Sequence, residues 1–66
     1  MSDMTVQQAA EKAYQAAIIL ALMQARQVEK MESSEVAALI VMVKELIDDV
    51  GGFLGEAESL AEVENV

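Results

Sequence analysis

The 66-residue chain contains no cysteine, no histidine and no proline. Without the first two there is no disulfide framework, and the common zinc, haem and iron–sulfur ligand sets are excluded. Nucleophile–histidine catalysis is excluded for the same reason. Glycine occurs only at 51, 52 and 55, so outside that cluster nothing strongly interrupts a helix. Tyr14 and Phe53 are the only aromatic residues. The longest apolar runs, residues 16–23 and 36–43, fall far short of the ~20 residues that span a bilayer. The opening MSDMTVQQ lacks a basic leader. These features lead us to expect a cytoplasmic protein with no membrane partner. Bases are scarce as well: Lys12, Arg26, Lys30 and Lys44 stand against 12 acids, giving a net charge of -8. Nucleic-acid binding needs clustered Lys and Arg to neutralise phosphates. Direct nucleic-acid binding is therefore not expected.

What the chain does have is aliphatic bulk. Hydrophobic residues make up 55% of it, mainly Ala, Val, Leu, Ile and Met, which favours folded helix over disorder or strand. A chain this short rarely draws more than about 3–5 kcal/mol from a single core. With disulfides and the usual metals gone, oligomerisation is the staple that remains. One small helical domain over residues 1–66 is expected, frayed at 1–4 and 62–66.

The strongest pattern lies between residues 34 and 60. Val36, Leu39, Val43, Leu46, Val50, Phe53, Ala57 and Leu60 recur at alternating steps of three and four, placing all eight on one side of a helix. The seam passes through GGFLG, so the glycines leave two alternatives. Either a helix over about 34–60 continues or kinks there, or it breaks at Gly51–Gly52 and a short third helix follows. Upstream, Thr5 and Gln8 have the spacing of a capping box, and a first helix over about 5–31 is expected. Its inner face is read as Val6, Ala9, Ala10, Ala13, Ala16, Ala17, Leu20, Ala21, Val28 and Met31. Glu32, Ser33 and Ser34 form the link, with Ser33 or Ser34 as the next N-cap. A short polar link makes the helices antiparallel neighbours. A turn near Ser33 would pair positions whose numbers add to about 66, such as Leu20 with Leu46 and Ala13 with Phe53. The expected fold is an all-α antiparallel helical hairpin that pairs into a dimeric four-helix bundle.

Both helices carry more apolar residues than one seam can hide. Within residues 16–23 every side chain is apolar, and a helix that is hydrophobic all round is buried all round. Ile18, Ile19, Leu22, Met23, Ile40, Val41, Met42 and Ile47 make up this surplus, read as a belt for self-association or for a partner protein. The acids concentrate downstream, where Glu45, Asp48, Asp49, Glu56, Glu58 and Glu62 have no base among them after Lys44. Their spacing matches no calcium loop. GGFLG lacks the strand and the basic residue of a phosphate loop. Like-charged neighbours four apart, and acids near a helix C-terminus, weaken this half by a few tenths of a kcal/mol each. It is the loosely held end unless a partner clamps it. No catalytic residue, cofactor or metal is expected. The pattern points to a non-catalytic homodimeric protein-interaction module, an adaptor, chaperone-like protein or inhibitor, whose partner has an apolar or basic surface. The alternative is an acidic mimic that blocks a basic nucleic-acid-binding surface of another protein through the C-terminal half.

Overall fold

A computed structural model of the protein describes the backbone of residues 4–64 and the side chains of residues 4–61. Two helices pack against each other as a hairpin, and there is no strand among the described residues. Helix α1 spans Val6–Ala25, a single 3-10 turn covers Val28–Lys30, and helix α2 spans Ser33–Glu64. Residues 1–3 and 65–66, parts of the expected frayed ends, lie outside the described residues. The molecule measures 52 × 18 × 17 Å. No helix among the described residues is long and apolar enough to cross a membrane.

The capping box opens α1. The Gln8 N–H donates to the Thr5 hydroxyl at 3.1 Å, and the Thr5 N–H donates to the Gln8 side-chain oxygen at 2.9 Å. The helix then stops six residues earlier than the expected Met31. Physically, it stops where its inward face turns polar. Ala9, Lys12, Ala16, Ile19 and Met23 are its least exposed positions, and the next ones in that stripe are Arg26, Gln27 and Lys30. Continuing the helix would bury nothing more. Gln27 turns the chain with φ 60, the one positive φ at a non-glycine residue among those described. Its carbonyl accepts from the Lys30 N–H at 2.8 Å.

In α2, the Val36 N–H donates to the Glu32 carbonyl at 3.0 Å. Glu32 is therefore the flanking residue, and Ser33 and Ser34 belong to the first turn instead of capping it. The helix runs unbroken through Gly51 and Gly52 and on past Leu60 to Glu64. A Cβ at any of the three glycines would meet nothing within 4 Å, so they tolerate helix without being required by a close approach.

The earlier end of α1 moves the register. Lys12 pairs with Asp49 at 3.1 Å and Arg26 with Glu35 at 3.5 Å, and both pairs join positions adding to 61, not 66. The α2 seam holds as expected from Val36 to Phe53, with Val43 buried and the others half-buried. On α1 the inward stripe is turned by one residue step, ~100°, from the expected one. Met23, only 6% exposed, lies inside, whereas Val6 is 74% exposed and Leu20 also faces out. The core is thin: Ala9, Ala16, Met23 and Val43 are its buried members.

Candidate interaction surfaces

Both inward stripes repeat every seven residues, so positions can be lettered with a and d facing the other helix. On α1 the a positions are Ala9, Ala16 and Met23, and the d positions include Lys12 and Ile19. On α2 they are Val36, Val43 and Val50, and Leu39, Leu46 and Phe53. The neighbouring g and e positions then fall on opposite flanks of the hairpin. The two flanks differ in chemistry.

The g flank carries a groove framed by ion pairs. Lys12–Asp49 closes it toward the open end and Arg26–Glu35 toward the turn, fourteen residues apart on each helix. Between them Ile18, Ile19, Met42 and Leu46 line one hollow, with Gln15 and Glu45 at its edge. Ile19, Leu22, Met23, Met31 and Leu39 line a second hollow beside it, toward the turn. Lys12 sits in the inward stripe itself, its stem lying along the seam while its ammonium reaches out to Asp49. Both pairs are partly solvated, so each holds the groove's shape more than it adds stability, at about 0–1 kcal/mol.

The e flank has no charge in its rows. Val6, Ala13 and Leu20 occupy the e positions of α1, and Ile40, Ile47 and Leu54 those of α2; all six are exposed. At the observed register Val6 lies within one residue of the level of Leu54, Ala13 of Ile47 and Leu20 of Ile40. Outside this double row come Ala10 and Ala17 on one helix and Ala37 and Gly51 on the other. Lys44 stands at the far edge and turns to Asp48, accepting no role in the row. That 2.6 Å hydrogen bond, then the carboxylate's attraction, raises the Lys44 pKa above its ordinary value.

The belt expected from sequence is thus divided among four places. Met23 is buried and Ile19 half-buried within the hairpin. Ile18, Leu22 and Met42 border the g-flank groove, Ile40 and Ile47 stand in the e row, and Val41 faces outward from the back of α2. Val6, Ala13, Leu20 and Leu54 complete the e row although none belongs to the expected belt. The signal is present for Leu54, two seven-residue steps from Ile40. Val6 and Leu20 lie on one of the two apolar stripes of α1, the one expected to face inward.

The acids are spread along α2 and do not form a cluster. Asp48 is engaged by Lys44 and Asp49 by Lys12, while Glu45, Glu56 and Glu58 are exposed. The side chain of Glu62 lies outside the described residues. Among the described residues no three acidic side chains converge as a metal site would require. Tyr14 projects from the back of α1, 69% exposed. The geometry offers two apolar surfaces of unlike character and an α2 that outruns α1. Comparison with family models, with curated proteins and with solved structures finds no match for the chain.

Proposed function

We propose that the chain is a non-catalytic, cytoplasmic protein-interaction module that works as a homodimer, two hairpins forming a four-helix bundle. One observation carries this reading. A hairpin whose buried core is two alanines, a methionine and a valine leaves large aliphatic side chains exposed along both flanks. Two helices alone cannot cover such flanks, and a core this small gives a lone hairpin little stability. One flank is assigned to self-association, and the ion-pair-framed groove, with Leu22 and Met42 at its rim, to a second protein with an apolar segment. Methionine suits that task because its flexible thioether adapts to different shapes.

A second reading has an observation of its own. Helix α2 continues past the end of α1 with Glu56 and Glu58 exposed, an acidic projection that fits a basic surface on another protein. One experiment addresses both. Sedimentation across a concentration range is expected to give a dimer at micromolar concentration; a folded monomer there rejects the homodimer. Affinity capture with wild-type and Leu22→Glu chains then tests the groove. A groove-bound partner is retained at raised salt and lost with Leu22→Glu. A partner held by the acids survives the substitution and is lost as salt screens the charges.

A further inference from the structure

We infer that the second copy docks on the e flank, centred on Ile47, with the turns of the two hairpins at opposite ends of the bundle. This rests on the homodimer proposed above and specifies its face and direction. The first ground is the pattern itself. A helix in a bundle core is apolar at a, d and one flanking position. Here the e rows are apolar on both helices, whereas the g rows include Gln8, Gln15, Glu35, Asp49 and Glu56.

The second ground is area. A compact monomer of 7.1 kDa exposes about 4,100 Å² by size scaling, and this chain exposes 5200 Å². The surplus is about 1,100 Å² per chain, or about 2,200 Å² for two, which exceeds the ~1,600 Å² of a standard interface.

Length and charge fix the direction. Helix α2 has 32 residues and α1 has 20, so at ~1.5 Å per residue α2 is longer by about 18 Å. At the observed register Val6 lies level with Gly55, and residues 56–64 have no α1 beside them. The a, d and e pattern nevertheless continues there through Ala57, Leu60 and Ala61, all exposed. Ile47, the middle of the e row, lies within two residues of the midpoint of α2. A two-fold axis at Ile47 therefore stacks α2 antiparallel on its copy over nearly its whole length. It carries residues 56–64 of each chain over the turn end of the other.

With the turns at the same end, α2 would lie over the shorter α1 and both projections would stay bare. Residues 56–64 hold four acids and no base, so that arrangement also places two like-charged segments together. The turn end, with Arg26 and Lys30 against Glu29, Glu32 and Glu35, has a net charge of only −1. Opposite ends therefore give the lesser repulsion, with the partner's Arg26 and Lys30 near each acidic projection.

The absence of cysteine in the wild-type chain makes the test clean. Full-length Ile47→Cys, kept in a thiol–disulfide buffer, is expected to run mostly as a covalent dimer with unchanged helicity. A mixture of Ile40→Cys and Leu54→Cys chains is expected to cross-link to each other, while Ile40→Cys alone is not. The mixture keeps the proposal testable if Ile47→Cys misfolds. A sedimenting dimer that links through Ile47→Cys with Ala13→Cys, or links in neither of the expected ways, overturns this arrangement and leaves the homodimer standing. A monomer overturns both.

Discussion

Gln27 bears the local cost of the chain reversal. With φ 60 and ψ 93 it lies outside the regions an L side chain prefers. It is held there by the bond from its own N–H to the Gln24 carbonyl at 3.1 Å and by the Lys30 N–H on its carbonyl. Left-handed backbone costs a non-glycine residue about 1–2 kcal/mol. Glycine removes that cost but loses about 0.5–1 kcal/mol through its freer unfolded chain. Gln27→Gly is therefore expected to stabilise the protein by about 0.5–1 kcal/mol, a rise of several degrees in Tm. Gln27→Val is expected to lower Tm, since a β-branched residue fits positive φ worst. Thermal melts at matched concentration check both, and the glycine variant melting lower would reject strain at this position. Nothing in the residue type marks this position in the sequence: Gln27 is an ordinary helix former that turns because the face behind it has run out of apolar residues.

At the scale of the element, α2 shows how a seam outweighs poor local propensity. Three glycines cost about 1 kcal/mol each relative to alanine in a helix interior. Val50 and Phe53 flank the pair Gly51–Gly52 and are both half-buried against α1, so the helix is pinned on either side of it. Gly52 and Gly55 lie away from the e row, with open space where a Cβ would be. Gly52→Ala and Gly55→Ala are each expected to add about 0.5–1 kcal/mol, additively, in urea unfolding. A loss from either would mean that something packs closely on that back face. The contrast with α1 explains what the sequence made legible. In α2 a single unbroken stripe leaves one way to face a neighbour, so its inward residues could be read to Phe53. In α1 the run 16–23 is apolar on every side, and the stripes through Ala9 and through Val6 are each plausible. Which one turns inward depends on where the helix ends, and no breaker marks Ala25. The register, five short of the expected one, follows from that end. The groove was illegible for the same reason, because it exists only once Lys12 and Arg26 meet Asp49 and Glu35.

For the whole molecule, the projection of α2 makes two accounts predict opposite signs. In an isolated hairpin, residues 56–61 have no α1 beside them, and the acids of this half oppose the helix macrodipole and set Glu58 four residues from Glu62. A chain ending at Gly55 would then fold as well as the full chain or slightly better. In a dimer with turns at opposite ends, the same residues cover the partner's turn end. Removing them exposes that end and discards the burial of Leu60 and two alanines. A fully buried leucine contributes about 1.5–3 kcal/mol, and each 1.4 kcal/mol is tenfold in Kd. Two copies of the projection are lost at once. The shortened chain is therefore expected to dimerise at least about 10-fold more weakly, with a Tm that falls further the more dilute the sample, as association-coupled folding requires. Added salt separates the contributions. The full-length dimer is expected to change little, because repulsion between acidic chains and attraction of Glu58 toward the partner's bases are screened together. Sedimentation of both chains over the same concentration range reads the difference directly. An equal Kd for the two chains would place the projection outside the interface and return it to the role of an acidic arm.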